Sequence, residues 1–188
     1  DDPLLTAELL EIGVKILESD PTIVALYPDW KIIDEQGRTL KIVTLPEYSD
    51  EEMIGHSRCL PGPGVLFSKS AAMSIGGRRE KWKYVGDYDF WLRISRIGLL
   101  ERRPHVLAQW RLHDESTSIA QRGIDMYRER IEVIESFITS YPIEESFSKI
   151  NKNKILIRKK HNILTNKFKE YIGVGYSLKE STFDILLE

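Results

Sequence analysis

Gly86-Asp87-Tyr88-Asp89-Phe90-Trp91-Leu92-Arg93 places two acids around an aromatic, then a bulky apolar pair and an arginine. Read as a helix start, the segment puts Asp87 at the N-cap, where its carboxylate accepts a backbone N–H and meets the positive end of the helix. Phe90, Trp91, Ile94 and Ile97 recur at the spacing of a buried helical stripe, and Gly98 follows as a stop. A carboxylate fixed at the mouth of an anchored helix has two uses. It caps the helix, or it takes a proton from a reacting hydroxyl as a general base. The segment alone leaves both open.

Other polar motifs stand around this one in a definite order. The chain opens Asp1-Asp2-Pro3 and continues with Tyr27-Pro28-Asp29-Trp30 and Ile33-Asp34-Glu35-Gln36-Gly37. Then come Pro61-Gly62-Pro63-Gly64-Val65-Leu66-Phe67, Ile75-Gly76-Gly77, the acidic helix, and Arg111-Leu112-His113-Asp114-Glu115-Ser116-Thr117-Ser118. Each is weak alone. In this order and spacing, over residues 1–118, they resemble the family 2 glycosyltransferases with the GT-A fold. In that family an upstream half carries the first strands and most of the nucleotide site, and ends in an Asp-x-Asp type motif. The resemblance implies that the chain starts inside that motif and corresponds to the acceptor-side half. The other reading of the opening Asp pair is a helix cap on a stand-alone domain.

The resemblance also implies roles. A nucleotide-sugar donor leaves as a diphosphate, and a divalent cation, Mn²⁺ or Mg²⁺, neutralises the charge growing on it. Asp1 or Asp2 matches the closing acid of the metal motif, Asp1 being the preferred ligand because capping suits Asp2. Asp87 matches the base that activates the acceptor hydroxyl, in a single displacement that inverts the anomeric carbon. Family members often have Glu before this Asp, where this chain has Gly86, so Asp89 is the fallback base. His113 matches a histidine that completes the metal shell or touches the diphosphate; its other reading is a surface histidine. Arg111 stands beside it as a substrate contact. Gly62, Pro63 and Gly64 are expected to shape the acceptor-side wall, glycine letting backbone approach a ligand closely. Asp29 and Trp30 are expected just beyond a buried strand, where α/β sheets place ligands. Trp30 is read as a sugar-stacking ring or as core packing, and Trp91 and Arg93 as internal supports.

The elements that must position these residues alternate. Asp2-Pro3 opens a helix whose stripe is Leu5, Leu9, Ile12, Ile16 and Leu17, stopped at Ser19-Asp20-Pro21. Residues 23–27 read as a buried strand. Residues 34–37 form a hairpin-like turn into a strand at 40–43, and residues 64–67 form another. Ser68 caps a short helix through Met73, ended by Gly76-Gly77. Residues 99–111 make one strand or a strand pair. Strands mixed with helices predict an α/β layer, here a partial GT-A-like mixed sheet with flanking helices. Beyond residue 118 the pattern turns helical. One stripe is Tyr127, Ile131, Ile134 and Ile138, ended at Tyr141-Pro142, and its isoleucines are candidates for a partner surface. A longer helix follows over 144–171 and a capping box at Ser177-Leu178-Lys179-Glu180. The expected domains are 1–118, the transferase part, and 119–188, a helical extension.

Composition narrows the class. The 188 residues are 41% hydrophobic and 30% charged, with a net charge of −2. That balance carries no global attraction to nucleic acid. The single cysteine, Cys59, excludes an intrachain disulfide and fits a reducing compartment, and no nearby pattern supplies it with a base. No apolar run approaches the roughly 18 residues a membrane span needs. Residues 149–169 carry lysines and arginines with no acid between. This stretch reads as a solvated helix face, as an attachment to an anionic membrane surface, or as a nucleic-acid contact. The scarcity of interleaved aromatics argues against the last.

Together these observations lead us to expect an inverting glycosyltransferase fragment, cytoplasmic or peripheral to a membrane. Its partners would be a nucleotide-diphospho-sugar donor and a glycan or lipid-linked saccharide acceptor, without nucleic acid. Lacking the nucleotide pocket, the chain itself is expected to turn over little. The alternatives are a non-catalytic interaction module docking on a partner or membrane, and a nucleotidyltransferase with the same metal logic.

Overall fold

The computed structural model describes residues 8–112 and 124–141. In chain order the elements are α1 (Glu8–Ser19), β1 (Ile23–Ile33), β2 (Thr39–Val43), one π-helical turn (Glu51–Gly55), β3 (Leu66–Phe67), α2 (Lys69–Ser74), α3 (Gly86–Ile94), β4 (Leu99–Arg111) and α4 (Ile124–Ser140). Asp1, Asp2, His113, the basic stretch and the last two predicted helices lie outside the described residues.

β1 is the axis of a four-stranded mixed sheet. Along one edge it pairs in parallel with β4. Along the other it pairs antiparallel first with β3, at Ala25 and Leu26, and then with β2, from Trp30 to Ile33. A parallel pair needs a long crossover, and everything between residues 33 and 99 supplies it. Residues 23–29 are all buried, as a central strand covered on both faces requires.

The two residues of β3 show how the layers are arranged. A methyl at Gly13 of α1 would collide with the Leu66 side chain, so Leu66 faces α1. Phe67 meets the rings of Phe90 and Trp91 in α3 at 5.4 and 5.6 Å, both edge-on. Adjacent strand residues point to opposite faces. Helix α1 therefore covers one face of the sheet and α3 the other, an α/β arrangement in three layers. Helix α4 adds Val133, Ile134, Phe137 and Ile138 to the buried core and packs with α3 in the same compact unit, Asp1–Pro142.

Several expectations are met. The turn at 34–37 closes with Asp34 N–H on the Arg38 carbonyl at 3.0 Å and Gly37 at φ 83°. Ser68 caps α2 by accepting the Ala71 N–H at 3.3 Å, and Gly76 and Gly77 end it at positive φ. Residues 99–111 form one strand.

Others are corrected. β1 does not stop at Tyr27. It runs through Pro28, where its pairing with β4 slips at Pro28/Asp29 and again at Asp29/Trp30, and a bulge is where a strand tolerates proline. Asp29 and Trp30 therefore lie inside the strand and not beyond its end. Ile12 is 44% exposed and Ile97 47% exposed, so neither belongs to a buried stripe. Helix α3 ends at Ile94, before Ile97 can complete its period. Of the isoleucines of α4, Ile134 and Ile138 are buried within this unit, whereas Ile131 is half-buried.

Candidate functional site

Helix α3 begins at Gly86, and its N-cap is Val85, which has no side-chain capping bond. Asp87 thus sits in the first turn and is exposed, which corrects its placement as the cap. Its Oδ1 accepts the N–H of the next residue, Tyr88, at 2.8 Å, and its other oxygen has no hydrogen-bond partner among the described residues. Another carboxylate reaches this helix start from α4. Glu129 accepts the N–H groups of Lys83, Tyr84 and Val85 at 3.1, 2.8 and 3.3 Å. A carboxylate from another helix thus fixes the backbone that leads into α3 and places its charge at the helix start.

Asp89, two residues on, has a different environment. It is 3% exposed, with one oxygen on Arg93 Nε at 2.8 Å and the other on Arg79 Nη1 at 3.2 Å. Arg93, itself 2% exposed, uses the rest of its fork on the carbonyls of Ile75 and Gly77, both at 2.7 Å. This network ties α3 to the turn after α2 and occupies the lone pairs a base would need. Arg93 and Trp91 are internal supports, as expected.

The surroundings of Asp87 come from three segments. Arg78 lies over the helix start: a methyl at Gly86 would stand 2.7 Å from its Nε, so a glycine here leaves room for a guanidinium. On another side run residues 57–60. The Cys59 thiol is held well above the usual thiol range by burial and, second, by the charge of Asp87, with Arg130 of α4 opposing. The thiol is therefore protonated at neutral pH and unsuited to act as a nucleophile. Arg130 donates from Nη1 to the Ser57 carbonyl at 2.9 Å and lies over the Tyr88 ring at 5.1 Å.

The remaining candidates are distributed elsewhere. Asp29 is 5% exposed and bound in bidentate fashion by Arg102, at 3.1 and 2.7 Å, and by the Leu45 N–H at 2.9 Å. This pairing raises the Arg102 pKa above its ordinary value. The pair joins β1 to β4 and leaves Asp29 little to offer a substrate. Trp30 meets Trp110 edge-on at 5.8 Å, and a methyl at Gly62 would lie 3.3 Å from its Nε1, a buried donor with no partner among the described residues. Gly64, at φ 77°, is enclosed by Ala108, Pro28 and Leu9, so it serves close packing under α1 and not an open wall. Pro63 between them is half-buried. Arg111 donates from Nη1 to the carbonyls of Asp34 and Glu35 at 3.1 and 2.8 Å, holding the hairpin turn. One loop connects these places, since residues 57–64 pass from the surroundings of Asp87, past Trp30, to the core. Glu129, Arg130 and Arg78 carry no sequence signal; they lie in no motif and are 8 to 73 positions from the residues they contact. Among the described residues no group of three or more His, Cys, Asp and Glu side chains is arranged to hold a metal ion.

No family model matches the chain. It is similar to an uncharacterised glycosyltransferase of Rickettsia typhi, at 29% identity over 139 residues, 67% of this chain and 42% of that protein. An uncharacterised glycosyltransferase of Haemophilus influenzae is 30% identical over 90 residues, 41% of this chain and 28% of that protein. The hyaluronan synthase of Pasteurella multocida is 25% identical over 187 residues, 95% of this chain but 18% of that protein. The chain spans less than half the length of each of these relatives. Their names support a glycosyltransferase relationship.

Proposed function

We propose that this chain supplies the acceptor-activating part of an inverting glycosyltransferase of the family 2 type, built on a GT-A fold. The observation that carries the reading is the contrast within one helix turn. Asp89 is buried and consumed by two arginines, whereas Asp87 is exposed with a carboxylate oxygen unpartnered among the described residues. A base must be both anchored and open. The Asp89–Arg93 network provides the anchor, and Asp87 provides the open carboxylate.

In the proposed step the acceptor hydroxyl oxygen attacks the anomeric carbon of the donor sugar and forms the new C–O bond. The bond from that carbon to the diphosphate oxygen breaks, and the nucleoside diphosphate leaves with the electron pair. The hydroxyl proton passes to Asp87. Asp1, Asp2 and His113 are the proposed holders of a divalent cation, which when bound offsets charge on the leaving diphosphate. The described residues do not themselves make up such a ligand set. Trp30 is proposed to flank the saccharide acceptor from the Gly62 side.

The test is release of nucleoside diphosphate from a panel of nucleotide sugars with Mn²⁺, using the chain and the natural gene product that contains it. Transfer that falls to a small residual rate in Asp87→Asn supports the reading. Unchanged transfer in that variant removes Asp87 from the role. Release of pyrophosphate instead would identify nucleotidyl transfer.

A further inference from the structure

Two adjacent residues of α4 hold the two segments that border Asp87. Successive helical residues project about 100° apart, so one helix can reach two neighbours at once. Glu129 gathers the three N–H groups of residues 83–85, immediately before α3. Val85 offers no side-chain cap to the helix, and Glu129 instead fixes the backbone that leads into it. Arg130 reaches the other way, to the carbonyl of Ser57 at 2.9 Å. Ser57 is the one non-glycine residue at positive φ among the described residues, at 54°. Such a conformation is costly and persists where surrounding contacts enforce it. The same guanidinium lies over the ring of Tyr88, whose N–H is bonded to Asp87.

We propose that Glu129 and Arg130 are positioning residues for the Asp87 carboxylate, and that α4 is therefore part of the transfer site. Glu129 sets where α3 starts, and so the direction in which its second residue points. Arg130 clamps the 57–60 loop against Tyr88 and keeps the wall beside Asp87 in place. Neither touches the reacting atoms. The proposal rests on the reading of Asp87 as the base. It goes beyond that reading in assigning function to a helix outside residues 1–118, where all the site motifs lie.

The experiment is steady-state transfer by the natural gene product carrying Glu129→Gln, Arg130→Met or Arg130→Lys, each alone and combined with Asp87→Asn. Thermal melts establish that each variant is folded. Misplacing a reacting group by about 1 Å can cost on the order of a hundredfold in rate. Glu129→Gln and Arg130→Met are therefore expected to lower kcat about ten- to a hundredfold, with the donor KM little changed. Arg130→Lys, which keeps the charge, is expected to recover part of the loss. In the Asp87→Asn background, Glu129→Gln should lower the residual rate no further, because the group it positions is gone. An equal further loss there marks a general structural defect and overturns the proposal. If Arg130→Met fails to fold, the Glu129→Gln and Arg130→Lys variants decide the question. Transfer that needs Asp87 but is indifferent to the α4 substitutions overturns the positioning role alone. Absence of transfer by the unsubstituted protein overturns the transferase reading and this proposal with it.

Discussion

Two carboxylates and a thiol within reach of one helix start differ because of what surrounds each. Asp89 gives its oxygens to Arg93 and Arg79, so Asp89→Asn is expected to lower the melting temperature clearly, whereas Asp87→Asn should leave it nearly unchanged and remove nearly all transfer. Melting and activity measured on both variants separate anchor from base. Arg93→Met should be severe. It leaves Asp89 buried beside one half-exposed arginine and orphans two carbonyls, and breaking a buried pair costs about 3–5 kcal/mol. Denaturant unfolding measures that cost. Cys59 makes a pH prediction. Its folded pKa is raised, so the folded thiol keeps its proton where an unfolded thiol, at about 8.5, loses it. The unfolded state then binds fewer protons, and folding stability must fall as pH rises past that value. Alkylation of Cys59 in the folded chain is expected to be far slower at pH 8.5 than in denaturant; equal rates would contradict the buried thiol.

Among the elements, β1 does the most. It carries the parallel pairing with β4, both antiparallel partners, and the Asp29–Arg102 pair that locks the two long strands together. Its contact with the loop at 62–64 depends on Gly64. An alanine there would have to hold φ near 77° and bring its methyl 2.6 Å from Ala108 Cβ. Both the strain and the overlap act in the folded state, so Gly64→Ala should destabilise by about 1–3 kcal/mol. A chemical denaturation midpoint shifted in the stabilising direction would refute this packing. The loop also links Trp30 to the surroundings of Asp87, so its rigidity bears on the proposed site as well as on the fold.

For the molecule as a whole, the consequential element is α4. The motifs end at Ser118, and a boundary there looks natural in the sequence. Yet Val133, Ile134, Phe137 and Ile138 are buried against the rest, and Glu129 and Arg130 bond to residues 83–85 and 57. A chain ended at residue 118 is expected to lose its cooperative melt, and one ended at residue 142 to keep it. Circular dichroism of the two truncations checks this. A sharp transition in the shorter chain would make α4 dispensable.

Periodicity, punctuation and caps act over a few residues, so they are written locally. Buried 23–27, the 34–37 turn, Ser68 capping α2 and Gly76-Gly77 ending it are legible without a structure. So was the internal role of Arg93, although its partner Asp89 was not. What the tertiary structure alone decided are partnerships across long separations. Asp29 looked available until Arg102, 73 residues away, was seen to hold it. Asp87 was open to both capping and base roles until Val85 was found at the cap and Glu129, from α4, against the backbone before it. Gly64 looked like a ligand wall until Leu9 and Ala108 closed on it. A carboxylate's availability depends on which donors fold onto it, and chain spacing does not encode that.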